Sequence, residues 1–90
     1  MREAQVKVIN PLGLHARAAA QLVRLAAQYS SRITLHRSDN GGMANAKSIL
    51  SLLALSASKG SIIQIRVDGV DEEDALAAIE TLFANGFGEL

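Results

Sequence analysis

The stretch Ile33-Thr34-Leu35-His36-Arg37-Ser38-Asp39-Asn40-Gly41-Gly42-Met43-Ala44-Asn45-Ala46-Lys47-Ser48-Ile49-Leu50 decides the fold. Ile33 and Leu35 alternate with Thr34 and His36, the period of two that sets one face of a strand on a core and the other in water. Asn40-Gly41-Gly42 supplies residues that accept positive φ, so the chain turns tightly and a short strand over about 42–46 runs back beside the first. Ser48 is a good N-cap for a helix containing Ile49, Leu50, Leu52, Leu53 and Leu55, and Lys59-Gly60 is the expected stop. An antiparallel hairpin therefore hands the chain directly to a helix.

On the amino-terminal side, Ala4, Val6 and Val8 alternate with Gln5 and Lys7, which predicts a strand over about 3–9. Asn10-Pro11-Leu12-Gly13 breaks that pattern. From Ala16 onward Ala19, Leu22, Val23 and Ala26 recur at helical spacing, a helix running to about Gln28. On the carboxyl-terminal side, Ile63, Ile65 and Val67 alternate with Gln64 and Arg66, and Asp68-Gly69 turns the chain. Asp71 is placed to cap a last helix. Glu72, Glu73 and Asp74 complement the positive end of its dipole, Leu76, Ile79, Leu82 and Phe83 form its buried stripe, and Asn85-Gly86 ends it. The order βαββαβα, without repeats or a linker, predicts one α+β domain over residues 1–90: a two-layer sandwich of a four-stranded sheet covered on one face by three helices.

Composition narrows the function. Of 90 residues, 49% are apolar and 20% charged, with a single Pro, which is ordinary globular composition. Nine Lys and Arg balance nine Asp and Glu, so the net charge of zero provides no general attraction for nucleic acid or anionic lipid. With no Cys and two His far apart in sequence, neither a disulfide framework nor a metal centre is expected. Met1-Arg2-Glu3-Ala4-Gln5 leads into alternating residues rather than the apolar run of a secretory leader, and no stretch approaches the ~20 apolar residues that span a bilayer. A soluble, cytoplasmic monomer without a cofactor or direct membrane contact is the expectation.

His15 carries the chemistry. It follows Gly13 and precedes a clean helical pattern, so it occupies or adjoins the N-cap, where unpaired backbone N–H groups of Ala16, Arg17 and Ala18 point outward. A neutral imidazole there is a nucleophile able to accept a phosphoryl group. Such a group brings about −1.5 to −2 charge. The helix end offers roughly +0.5, and Arg17, two residues on, adds a full charge with forked donors suited to phosphate oxygens. A lone histidine at a helix start can equally serve only as a cap, so this motif by itself leaves both readings open.

The string Asn10-Pro11-Leu12-Gly13-Leu14-His15-Ala16-Arg17-Ala18-Ala19, taken with Asn45-Ala46-Lys47-Ser48-Ile49-Leu50, resembles the HPr family of histidine-containing phosphocarriers of the bacterial phosphoenolpyruvate phosphotransferase system. The resemblance covers essentially the whole chain. Ser51-Leu52-Leu53-Ala54-Leu55-Ser56-Ala57-Ser58-Lys59-Gly60 and the ending Leu82-Phe83-Ala84-Asn85-Gly86-Phe87 look closer to the nitrogen-related branch, NPr, than to sugar-transport HPr. It implies an open-faced sandwich with an antiparallel sheet. It further implies that His15 accepts phosphate on Nδ1 from Enzyme I and passes it to an EIIA-type acceptor, with Arg17 beside it. Family members usually carry Pro after this Arg. Here Ala18 stands instead, restoring a backbone N–H and removing a fixed φ in the first turn, which bears on transfer rate.

Ile49, Leu50 and Leu53 exceed what one buried helical stripe needs, and each is open to core packing or to docking. The resemblance favours docking for Ile49 and Leu53; Arg24 and Lys47 read first as solvated surface charge and alternatively as a basic rim around them. Ser48 caps its helix, a contribution of about 1 kcal/mol, and in many family members this Ser is the target of a dedicated HPr kinase/phosphorylase. His36 is expected to face solvent. Asp71 to Asp74 read as dipole complement and cap rather than a cation site.

Three other classes fit less well. An RNA-binding sheet shares the βαββαβ order, but Tyr29, Phe83 and Phe87 all fall outside the predicted strands, so the stacking platform is missing. A metabolic enzyme needs several convergent polar groups in a pocket, and only one such centre is visible. A regulatory relative that binds a transcriptional or metabolic regulator without transferring phosphate is the alternative to a carrier, and His15 argues against a wholly inert version.

Overall fold

The computed structural model describes all 90 residues. Strand β1 (Arg2–Lys7) leads to helix α1 (Ala16–Ala26), hairpin strands β2 (Arg32–Arg37) and β3 (Met43–Asn45), helix α2 (Ile49–Leu55), strand β4 (Ile62–Asp68), helix α3 (Glu72–Ala84) and a closing 3-10 turn at Gly86–Gly88. The sheet order is β1-β4-β2-β3, and every neighbouring pair is antiparallel. The βαββαβα open-faced sandwich expected from the pattern and the resemblance is the observed fold.

Register follows from the alternation. Ile65 lies opposite Ala4 on one side and Leu35 on the other, and Val67 lies opposite Ile33. Ile33, Leu35, Ile63, Ile65 and Val67 are fully buried under the helices, where Leu22, Leu52, Ile79 and Phe83 meet them. Each such side chain removed from water contributes about 1.5–3 kcal/mol. The intervening residues Arg32, Thr34, His36, Gln64 and Arg66 belong to the opposite face of the sheet.

The hairpin turns as its residues predict. Gly41 takes φ +71, and the Asn40 side chain accepts from the Gly42 N–H at 2.8 Å. β1 is shorter than expected, although Val8 continues the ladder by donating to Ser61 and accepting from Gly60. α1 stops at Ala26, and Gln28 and Tyr29 follow in tighter turns, donating to Leu25 and Ala26.

Two expectations are corrected. α2 ends at Leu55, ahead of Lys59-Gly60, because Ser56 adopts the left-handed conformation at φ 54 and its N–H closes on the Leu53 carbonyl. The residues after it, Ala57 and Ser58, instead pack against the loop at Gly13. Asp71 occupies the N-cap of α3 yet makes no capping hydrogen bond to it. Its carboxylate accepts from the backbone N–H groups of Ser30 and Ser31 at 2.8 and 3.0 Å and from the Ser31 hydroxyl, tying α3 to the start of β2. Glu72, the first residue of α3, accepts from the Gly69 N–H in the turn before the helix at 3.1 Å. In α3, Leu76, Ile79 and Phe83 are buried with Ala75, while Leu82 is half-buried.

Candidate functional site

The loop between β1 and α1 is held from within. Asn10 is fully buried, and its Nδ2 donates to the Gly13 carbonyl at 2.7 Å while Gly13 N–H returns to the Asn10 carbonyl at 3.1 Å. Leu14 N–H donates to the Ala57 carbonyl at 2.8 Å, fixing the loop to the exit of α2. Gly13, at φ +65, is required there: a Cβ would stand 2.6 Å from the Ala57 oxygen.

This loop delivers His15 to the N-cap of α1 in an extended conformation, φ −78 and ψ −177. Its Nδ1 accepts from the Arg17 N–H at 3.2 Å, the bond an N-cap side chain makes to the second helical residue. The N–H groups of Ala16 and Ala18 have no acceptor within the chain. Arg17 is exposed and forms no salt bridge, so its guanidinium is available to an incoming anion. An open cleft of about 510 Å³ lies over these groups, lined by Pro11, Leu12, His15, Ala16, Arg17 and Glu89.

Glu89 completes the site from the far end of the chain. Its Oε2 pairs with His15 Nε2, and its Oε1 accepts from Asn10 Nδ2 at 3.0 Å. The Asn10 amide, then the His15 ring, hold the Glu89 carboxyl below the usual carboxylate range. With Nδ1 accepting from a backbone N–H and Nε2 facing a carboxylate, the ring proton belongs on Nε2 and the lone pair on Nδ1. The 3-10 turn aims this tail: Phe87 is buried edge-on against Phe83, centroids 5.0 Å apart, and its carbonyl accepts from Gln21 at 3.2 Å.

The remaining sequence-derived residues fall into separate positions. On α2, Leu52 and Leu55 are in the core, whereas Ile49, Leu50 and Leu53 are 40%, 76% and 37% exposed. Arg24 is exposed in the last turn of α1. Lys47 is exposed but engaged, its Nζ donating to the Tyr29 carbonyl at 2.6 Å. Ser48 caps α2, its hydroxyl oxygen accepting from the Ser51 N–H at 3.3 Å. His36 is half-buried, with Nε2 3.4 Å from the Thr34 hydroxyl. Tyr29, Phe83 and Phe87 lie outside all four strands. No helix is long and apolar enough to cross a membrane.

Sequence reasoning missed Glu89, Asn10 and Leu12. Leu12 is 72% exposed beside His15 and extends the apolar surface at the site. Asn10 read as a turn residue, with nothing local to show that its amide would reach 79 positions along the chain.

An open-faced sandwich that presents one imidazole at a helix N-terminus, with an unpaired guanidinium beside it, has the arrangement of a small phosphoryl carrier. Residues 2–85 match the family described as the PTS HPr component phosphorylation site, and the chain belongs to this HPr family of phosphotransferase-system phosphocarriers. It is 46% identical over 89 residues to phosphocarrier protein HPr of Xylella fastidiosa strain Temecula1, spanning 99% of this chain and 98% of that one. It is 42% identical over 84 residues to phosphocarrier protein NPr of Escherichia coli K12, spanning 93% and 92%. The crystal structure of HPr-C-His from Thermoanaerobacter tengcongensis superposes with a TM-score of 0.92 at 37% identity, covering 100% of this chain and 99% of that one.

Proposed function

We propose that residues 1–90 act as one carrier domain that accepts a phosphoryl group on His15 Nδ1 from Enzyme I and donates it to an EIIA-type acceptor. The observation that carries this reading is the orientation of Nδ1, whose lone pair faces the first-turn amides of α1 at the mouth of an open cleft. Attack through that lone pair releases the 3.2 Å bond from Arg17 N–H, which is then free to meet a phosphoryl oxygen. The Ala16 amide and the Arg17 side chain are the other donors; Ala18, expected to contribute its amide as well, is fully buried and stands outside the cleft. A guanidinium charge plus roughly +0.5 from the helix end opposes about −1.5 to −2 on the phosphoryl group. The residual charge is small enough to leave the group bound yet transferable.

Docking falls to Ile49, Leu50 and Leu53 with Leu12, and Arg24 supplies a basic edge. Lys47, bonded to the Tyr29 carbonyl, contributes to that edge only by releasing its bond. A patch of this size suits brief encounters burying less than about 1,200 Å² in total. A phosphate on Ser48 from a kinase of the HPr kinase/phosphorylase type adds negative charge to this face, so it weakens docking more than folding.

The test is to mix the protein with phosphoenolpyruvate, magnesium and its Enzyme I and look for an acid-labile, base-stable phosphate. His15→Ala abolishes the label if the reading is right. An acid-labile label that persists in that variant moves the site to His36, and an acid-stable, base-labile one moves it to Ser48. A wild-type protein that takes no label yet binds a regulator is the non-transferring alternative.

A further inference from the structure

Glu89 lies 74 residues from His15, and the carboxyl-terminal tail and the loop after β1 bring the two together. The tail passes through three successive residues at positive φ, Gly86 at 57, Phe87 at 56 and Gly88 at 76. For Phe87 that conformation is strained. It is retained by burial of the ring against Phe83 and by the bond from Gln21 to the Phe87 carbonyl. At the other side Asn10, fully buried, offers one Nδ2 to both the Gly13 carbonyl and Glu89 Oε1. Strain in the tail and a buried amide in the loop therefore converge on one carboxylate, which meets Nε2 of the imidazole.

We infer that Glu89 is a positioning residue of the transfer reaction: held by Asn10, its carboxylate keeps the ring proton of His15 on Nε2, so that Nδ1 is the nucleophile, and it balances the charge the ring acquires with the phosphoryl group. This rests on the reading of His15 as the carrier. As the Nδ1 lone pair forms the P–N bond, the bond from phosphorus to the donor's leaving atom breaks and its electron pair stays with the donor. The ring gains no proton and loses none, so it becomes an N-phosphorylated imidazolium whose Nε2–H points at Glu89. In the onward step the acceptor's nucleophile forms its bond to phosphorus as P–Nδ1 breaks. That pair returns to Nδ1, and the ring leaves as neutral imidazole with its proton still on Nε2.

Nitrogen-15 spectra of the unphosphorylated protein report which ring nitrogen of His15 carries the proton, and rapid-quench kinetics report transfer in each direction. The wild-type ring is expected as the Nε2–H form. Glu89→Gln, which keeps the shape but not the charge, is expected to slow transfer about 10- to 100-fold, short of the ~10⁴ lost when the carboxylate behind a buried catalytic histidine is made an amide. Glu89→Ala is expected to mix the two tautomers as well, Glu89→Asp to recover part of the rate, and Glu3→Gln, on a distant strand, to change neither. Unchanged tautomers and rates within twofold in both Glu89→Gln and Glu89→Ala overturn the inference. Slowed transfer in Glu89→Ala with the wild-type tautomer population also overturns it. Absence of phosphate on wild-type His15 overturns the carrier reading instead, and the tautomer measurement, made without phosphate, still decides whether Glu89 sets the ring.

Discussion

The carbonyl oxygen of Ala57 and the α-carbon of Gly13 are so close that a side chain at Gly13 would come within 2.6 Å of that oxygen. The contact joins the loop that presents His15 to the segment leaving α2, and the Leu14 N–H bond to the same carbonyl fixes its direction. His15 and α2 are thereby held as one piece.

Gly13→Ala tests that coupling. The left-handed φ of +65 costs a Cβ-bearing residue roughly 1–2 kcal/mol, and the clash adds to it. A loss of about 2–3 kcal/mol in urea unfolding is expected, within the range for a strained backbone. Transfer from Enzyme I should also slow at temperatures where the variant is fully folded. A stability change under 1 kcal/mol would show that the loop relaxes without cost.

Arg17 and Ala18 separate chemistry from folding. Arg17→Ala removes an exposed, unpaired charge, so stability should stay within about 0.5 kcal/mol. Transfer should fall by about 10²-fold, the scale for losing one donor aimed at developing charge, and Arg17→Lys should restore part of it. Unchanged kinetics remove Arg17 from the mechanism. Ala18 N–H has no acceptor, so Ala18→Pro forfeits no hydrogen bond, but Ala18 is fully buried and fitting the larger ring is expected to cost about 1–3 kcal/mol. Its transfer rate, compared where the variant is fully folded, then reads what proline does in the first turn, the lost N–H and the fixed φ together.

What could be read from the chain, and what could not, divides by range. Ile33, Leu35, Ile63 and Val67 announce their face by alternation, and Asn40-Gly41-Gly42 announces the hairpin, because each signal is complete within a few residues. His15 and Arg17 were legible for the same reason, being neighbours on one turn. Glu89 was not: its contact with His15 depends on a tail reversal at Phe87, a residue type that does not advertise positive φ. The end of α2 was misplaced because Ser56, rather than the later glycine, took the left-handed position. Asp71 looked like a cap from sequence, but Ser30 and Ser31 offered it a closer set of donors from across the fold.

That set of donors makes stability depend on pH. The Ser31 hydroxyl, then the Ser30 backbone N–H, lower the Asp71 carboxyl from its ordinary 3.8 to about 2. A carboxyl depressed in the folded state stabilises the fold fully above its unfolded value. That contribution disappears as pH falls from about 4 towards 2. Asp71→Asn should therefore lower the urea midpoint at pH 7, and the difference from wild type should narrow through that window. Parallel curves for the two proteins across it would detach Asp71 from acid stability.

The docking patch can be tested on a single helix, because α2 carries both kinds of leucine. Leu52 is fully buried, and Leu52→Ala should cost about 2–5 kcal/mol of stability. Leu50 is 76% exposed, so Leu50→Asp should change stability by no more than about 0.5 kcal/mol. If partners seat on this surface, the same change, and to a lesser degree Ile49→Ala or Leu53→Ala, should raise the concentration needed to half-saturate Enzyme I. A rise of about 5- to 30-fold corresponds to 1–2 kcal/mol of lost contact. The maximal rate at saturation should hold, since none of the three side chains lines the cleft over His15. A drop in maximal rate with unchanged half-saturation would mean that α2 acts on the chemistry through the Ala57–Gly13 junction, and that recognition lies elsewhere.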